Sequence, residues 1–481
     1  MKIFRCVALV VVLGWLGATA HAQAAAAPSA AVSQPGPLDV LGYDDVRADM
    51  AELVSAIADL HPNPFWSRSR TQLEADAAAL SELARGGTLK RRECFRELAK
   101  LIISLDDPHS WAFTPGWKDY LAAGGREMPL ELQFRDGAAT VKFAPPDSGI
   151  PKAASVTAIN GLLMADLYKE FRPLTGQADD PFGDEFLATF FSRYLWFFHD
   201  WSGPFTVTVA VDGSSRDVVL PGLTSQELDA ALGAADEEAP LALRMPQSGI
   251  AVLEFRRCAA PEKIRALAEP MFRRLKDEHV GTLIVDARDN AGGGDDAWRV
   301  LLEFLTSKPY SGYRGGSFRV SQRLKDMLGK EEMEMRFQTG VFDLAPGTVV
   351  AHTVEPGDLI TPPDNPLRFD GKWAVLAGRR TFSSGMAFVS AVKGYDLAPV
   401  VGEETGGRVK GFGQWVRVKL PRTGLEVALS TKQFDGAVDV PLRRGVPPDV
   451  QVKCPASIPE GSENDPVVRA GIEAARAEGQ K

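Results

Sequence analysis

Residues 378–393 read GRRTFSSGMAFVSAVK, with Ser383 and Ser384 adjacent between an apolar run and a helical pattern. A hydroxyl at the carboxyl end of a buried strand, just ahead of a helix, stands where open α/β sheets place their sites and where helix N–H groups favour negative charge. Serine is equally a preferred N-cap, so the placement alone makes neither residue a nucleophile. Acyl transfer needs two further parts, a proton acceptor and donors for an oxyanion. The stretch LIVDARDNAGGGDDAW (283–298) offers the donors, because Gly292, Gly293 and Gly294 let backbone N–H groups approach a ligand oxygen with no Cβ in the way. The same glycines also suit a plain tight turn. Their spacing is neither that of a dinucleotide fingerprint nor that of a phosphate loop. The chain has six histidines. His109, in DDPHSW (106–111), lies in a polar turn beside Asp106, Asp107 and Ser110 and is the candidate base at neutral pH, whereas His61, in LHPNPFW, reads as part of a packed turn. A fourth stretch, VVGEETGGRVKGFGQW (400–415), carries five glycines and reads as a loop passing close to something, or as a surface loop with charged tips.

The elements that must hold these residues follow from periodicity. From Tyr43, the apolar positions Val46, Met50, Leu53, Ile57 and Leu60 recur at steps of four and three, the spacing of one helix face. Phe95, Leu98, Ile102 and Leu105 form another such face, with Leu73, Ala77 and Leu80 between them, so a small helical unit ends near Asp107. Residues 128–222 change to period two: LELQFRDGAATVKF and FTVTVAVDGSSRDVVL read as hairpins, VTAING as a strand ending in a tight turn, and 164–171 as a helix. The insert from Leu162 to Trp201 carries the aromatic run FLATFFSRYLWFF, read as core in preference to a lid or a dimer contact. From Gly249 onward, strands (IAVLEF, TLIVDARD, WAVLAG, APVVG) alternate with helices near 261–276, 297–305 and 385–393. That alternation implies crossover units and a largely parallel sheet, an α/β fold. A hairpin, WVRVKL-PRTG-LEVALS, follows.

Composition bounds the function classes. At 481 residues, 45% hydrophobic and 24% charged, the chain is globular and long enough for two or three domains. A net charge of −9 without a concentrated basic face argues against a nucleic-acid partner. Lys2 and Arg5 precede an apolar run from Val7 to Leu16 and the small-x-small site Ala20-His21-Ala22, so residues 1–22 are expected to be a signal peptide and the protein to be periplasmic or secreted. Residues 23–42 read as a flexible lead-in, and no later segment is apolar enough to span a membrane. Cys94, Cys258 and Cys454 allow at most one bridge and do not have metal-ligand spacing; no metal or cofactor is expected.

Taken in this order, the four stretches resemble the serine peptidase family of tail-specific (C-terminal processing) proteases, the tricorn protease core and the interphotoreceptor retinoid-binding protein modules. The family's Asp-x-Arg-x-Asn-x-Gly-Gly appears as DARDNAGG, its Thr-x-Ser-Ala-x-Glu as TFSSGM, its Gly-Glu-x-Thr-x-Gly as GEETGG and its Gly-Val-x-Pro-Asp as GVPPD (445–449). The resemblance covers residues 43–452. It implies an N-terminal helical unit (43–120), a PDZ-like β unit with a helical insert (121–245), a crotonase-like (ClpP-like) core (246–455) and a C-terminal tail (456–481). It aligns Ser383 with the nucleophile and assigns the oxyanion donors to the N–H groups of Ser384 and of Gly292 or Gly293. The tail-specific branch takes a lysine as base, and this chain has Arg408 there, which a protein does not deprotonate; Lys410 lies two residues on. The tricorn-like branch takes a histidine in an Asp-x-His-Ser/Thr stretch, which selects His109, flanked by Ser110. Leu442 and Met386 stand where the family carries glutamates, so a carboxylate near the base is expected from Asp107, Glu403, Glu404 or Asp439. The implied function is hydrolysis of peptide bonds in a peptide or unfolded protein, with an oligomer left open. The other reading is a non-catalytic exported module that binds a peptide or apolar ligand on the same fold.

Overall fold

The computed structural model describes residues 36–477 apart from 37, 136, 177–181, 212, 232–238 and 454–463. The expected signal peptide (1–22), most of the lead-in and Cys454 therefore lie outside the described residues. The end of the lead-in is not free chain: Val40 bridges to Lys90, and Leu41 is buried with its N–H on the Leu89 carbonyl. Three helices follow, α1 (Tyr43–Leu60), α2 (Arg70–Glu82) and α3 (Arg91–Ile103). Each buries the apolar face that its spacing marks out: Val46, Met50, Leu53, Ile57 and Leu60 on α1, and Phe95, Leu98 and Ile102 on α3. A capping box between Ser69 and Gln72 starts α2.

Strand β1 (Trp111–Phe113) leaves this unit directly after His109. The β unit is an antiparallel sheet in the order β2 (Glu131–Arg135), β3 (Ala138–Phe143), β4 (Ser155–Ile159), β6 (Phe205–Val211) and β7 (Ser214–Leu220), with the short β5 (Leu162–Leu163) on β4. The aromatic run forms helix α4 (Phe182–His199), which buries Phe191, Tyr194, Leu195, Phe197 and Phe198.

The core holds a six-stranded sheet in the order β17 (Val450–Gln451), β14 (Val400–Gly402), β13 (Lys372–Ala377), β10 (Thr282–Asp286), β9 (Ile250–Phe255) and β8 (Leu241–Gln247), parallel except for the β8–β9 pair. Helices α5 (Pro261–Asp277), α6 (Asp295–Glu303) and α7 (Ser384–Gly394) cover one face. Its strands are almost continuously buried, as a sheet covered on both faces requires. The other face is covered by α8 (Pro466–Ala477), whose Val467, Val468 and Ala475 pack on Val252, Ile284 and Leu376. The segment read as a tail (456–481) thus contains a helix, because an uncovered second face would leave those strand residues in water.

A second sheet of the core is antiparallel: β1, β16 (Leu425–Gly436), β11 (Tyr313–Arg319) and β12 (Val349–Thr353), with β15 (Lys410–Leu420) also on β16. It shares one apolar cluster with α1–α3 and the β unit. Among the described residues no helix is long and apolar enough to cross a membrane, and Cys94 and Cys258 are buried free thiols.

Candidate active site

Strands β10 and β13 pair in parallel with Asp286 opposite Leu376, so the loops that follow them leave the same sheet edge side by side. The first loop carries Gly292 and Gly293, the second Ser383. Ser383 has φ 52° and ψ −125°, a backbone state costly for a side chain with a Cβ, and it projects its hydroxyl at the start of α7. Asn290 imposes this turn. It is fully buried, its carbonyl accepts the Phe382 N–H and its Oδ1 accepts the Gly292 N–H at 2.9 Å. A Cβ on Gly292 would come within 2.7 Å of the Ser383 Cβ, so glycine is what permits the two loops to touch.

These bonds separate the glycines offered as alternatives. Gly292 is not an oxyanion donor, since its N–H is engaged by Asn290. The N–H groups of Gly293 and Ser384 have no acceptor among the described residues, and the Ser384 hydroxyl ties the two segments together by donating to the Gly293 carbonyl at 2.8 Å.

His109 arrives from far upstream, with Nε2 3.1 Å from Ser383 Oγ. Three ties hold its loop. Strand β1 pairs Trp111 with Ala428 of β16; the Ser430 N–H donates to Ser110 Oγ at 3.1 Å; and Arg408 Nη1 donates to the Asp106 carboxylate at 2.7 Å and to its carbonyl at 2.8 Å. The ring stacks on Phe382, which in turn stacks on Phe182 of α4. With Nε2 at the serine, Nδ1 is the nitrogen left to donate to the Phe412 backbone carbonyl, which hydrogen-bonds the imidazole. Burial lowers the His109 pKa from its usual value, against the opposing pull of Asp107 and of that carbonyl. The His109 imidazole is therefore neutral at neutral pH.

No carboxylate touches the ring among the described residues. Asp107 Oδ1 accepts the His109 main-chain N–H at 2.8 Å, and Oδ2 accepts the Ser110 hydroxyl at 2.5 Å, so Asp107 holds the base by its backbone. Burial would raise its pKa, but His61, His109 and the Ser110 hydroxyl together hold it down to about 2. The remaining expected carboxylates sit elsewhere. Glu403 pairs with Arg135 of β2 at 2.7 Å and with Arg379 at 3.8 Å. Glu404 accepts from Arg444 and from the Gly445 N–H, while Asp439 is exposed and takes Lys410 at 3.0 Å and Arg314 at 3.1 Å. Each already balances a nearby cation, which is why none turns to the imidazole; Lys410 is likewise engaged and is no base here. Leu442 is exposed and Met386 buried. Sequence reasoning missed Asn290, Phe412 and the proximity of His61 to Asp107. The asparagine within DARDNAGG was the one available signal.

Behind the imidazole loop, Asp106, Asp107 and Arg408 together with Phe182, Phe186 and Tyr194 line a narrow cleft of mixed polarity.

Residues 250–452 match the model described as Peptidase family S41. Among solved structures, the chain is similar to mature CPAF at 15% identity, TM-score 0.57, over 86% of this chain and 94% of that one, and to mature CPAF complexed with lactacystin at 15%, TM-score 0.58, over 86% and 95%. The photosystem II D1 C-terminal processing protease aligns at 16%, TM-score 0.45, over 89% and 96%. No curated protein matches the chain. The stretch that matches this peptidase model, residues 250–452, is the one that carries Ser383, Gly293 and the Arg408 loop.

Proposed function

We propose that this protein is a serine-type peptidase in which Ser383 is the nucleophile, His109 the base, and the N–H groups of Gly293 and Ser384 the oxyanion donors. The observation that carries the reading is the 3.1 Å approach of His109 Nε2 to a hydroxyl held at a strained strand–helix turn. In the first step Nε2 takes the Oγ proton as Oγ attacks the peptide carbonyl, and the Phe412 carbonyl stabilises the imidazolium through Nδ1–H. The two free amides receive the charge on the carbonyl oxygen; losing one such donor typically costs about 3–4 kcal/mol of transition-state stabilisation. The imidazolium then protonates the leaving amine, and water, deprotonated by the same ring, releases the acyl group. Because the base comes from a histidine of the N-terminal unit, this is the tricorn-like form of the site, with Arg408 in a structural role.

The β unit, read as PDZ-like, takes a peptide as an added strand along its edge. Export through a cleaved signal peptide and assembly into an oligomer complete the proposal.

The test is covalent labelling by a fluorophosphonate probe together with hydrolysis of casein as an unstructured substrate. The wild type is expected to label at Ser383. Ser383→Ala is expected to lose labelling and on the order of 10,000-fold or more in hydrolysis while keeping its circular dichroism spectrum. Full activity in purified Ser383→Ala ends the nucleophile assignment, and absence of labelling across the pH range favours the binding module.

A further inference from the structure

His61 is a chemistry-bearing residue of the upstream unit that the proposed mechanism leaves unused. It closes α1, and its ring is buried to 1% exposure. Its Nδ1 accepts the Asn63 N–H at 3.2 Å. A neutral imidazole has one donor and one acceptor nitrogen, so an accepting Nδ1 puts the proton on Nε2. That Nε2 has no hydrogen-bond acceptor within normal range among the described residues, and the group it faces is Asp107 Oδ2 at 3.5 Å, also fully buried.

The ring of His61 also packs on the ring of Phe412, with centroids 4.5 Å apart. Phe412 supplies the carbonyl at the His109 ring, and Asp107 supplies the carboxylate at the His109 N–H. One side chain therefore touches both anchors of the base. The turn that carries it is itself pinned to the end of α3, since Trp66 Nε1 and Ser67 Oγ each donate to the Leu105 carbonyl at 2.9 Å. The other charged groups around the loop face away from His61: Asp106 is taken by Arg408 and Arg443.

Building on the peptidase reading, we infer that His61 is a positioning residue for His109: a neutral imidazole whose Nε2–H braces Asp107 while its ring braces Phe412. It touches neither substrate nor Ser383, and it acts on the base only through Asp107 and Phe412. When His109 becomes an imidazolium, the two anchors must keep it aimed at the leaving nitrogen, and a small displacement of a base costs rate more than it costs binding.

The experiment compares wild type, His61→Phe and His61→Gln in labelling by a fluorophosphonate, resolved into the saturating rate and the apparent affinity for the probe. Phenylalanine keeps the packing on Phe412 and removes the donor; glutamine offers an amide N–H in place of Nε2–H. His61→Phe is expected to lose on the order of 10- to 100-fold in the saturating rate with unchanged affinity for the probe, and His61→Gln to recover most of that loss. A second measurement needs no variant: long-range ¹⁵N correlation spectra of histidine-labelled wild type are expected to show His61 with its proton on Nε2. Wild-type labelling rates in His61→Phe, or the proton found on Nδ1, overturn this inference and leave the peptidase reading standing. A wild type that does not label at all removes the peptidase reading, and this inference with it.

Discussion

At Ser383 the chain holds a side-chain-bearing residue in a backbone state that costs about 1–3 kcal/mol, and it does so beside a histidine with no carboxylate on its ring. The pairing has a consequence for pH. A carboxylate at Nδ1 would stabilise the imidazolium by charge; a main-chain carbonyl does so only by hydrogen bonding, and burial works against the charged form throughout. The folded His109 pKa is therefore below the ordinary 6.5. Its working form is the neutral one, so activity is present above that pKa and lost as pH falls through it. The labelling rate of wild type plotted against pH should have its acid midpoint below 6.5; a midpoint above it would require a negative group on the ring, and none stands there among the described residues. The two serines, the glycine turn and His109 were legible because each is a residue type with its own chemistry. The Phe412 carbonyl was not, since every residue has one and only the fold selects which is used. His61 was read as packed, and packed it is; that its other edge faces Asp107 depends on a contact between residues 46 positions apart that no local pattern encodes.

Among the elements, the parallel sheet was readable from alternation, and its register alone brings the glycine loop to the serine loop. The antiparallel sheet was harder. The loop read over 400–415 becomes strand at Lys410, because Gly411 and Gly413 sit within β15. Gly413 serves a packing purpose there, as a Cβ on it would lie 3.1 Å from Phe434 and 3.8 Å from the His109 ring. Arg408 shows what the same loop does at its other end. In the position where the family's lysine would be a base, it is an almost buried cation that ties the β14–β15 connection to Asp106, three residues before the imidazole. Removing one member of a buried ion pair leaves the other charge desolvated, so Arg408→Ala is expected to cost about 3 kcal/mol in urea unfolding and to slow labelling of Ser383 in the folded protein. Arg443 still faces Asp106, which limits the loss. Labelling at the wild-type rate in folded Arg408→Ala would show that β1 alone carries the histidine to the serine.

For the molecule as a whole, the segments that read as separate units along the chain are joined by burial. The upstream helices, the β unit and the antiparallel sheet share one apolar cluster, and the parallel sheet has a cluster on each face. His109 thus comes from the side of one cluster and Ser383 from the side of another. The helix on the second sheet face escaped the sequence reading although PVVRAGIEAARA is amphipathic, because it is only twelve residues long and its buried stripe is two valines followed by glycine and alanine. Its position makes it more than a cover. Asp465, at its start, is fully buried and meets Arg288 at 2.8 Å, and Arg288 lies in the stretch between β10 and the glycine loop. Gly471 lets the helix settle onto the sheet, since a Cβ there would come within 2.8 Å of Leu376. A chain ending at residue 464 loses the burial of Val467, Val468 and Ala475 and takes Asp465 away from Arg288, which keeps its ion pair with Asp286 at 2.6 Å. The expected cost is about 4–6 kcal/mol, from roughly 1.5–3 kcal/mol for each valine and less for the alanine, together with the sheet residues they cover. It is read as a lower urea midpoint for the truncated chain. Because the missing pair anchors the glycine loop, labelling of Ser383 should fall even at urea-free conditions where circular dichroism reports a folded protein. An unchanged urea midpoint with unchanged labelling would mean that the parallel sheet holds its catalytic edge without α8.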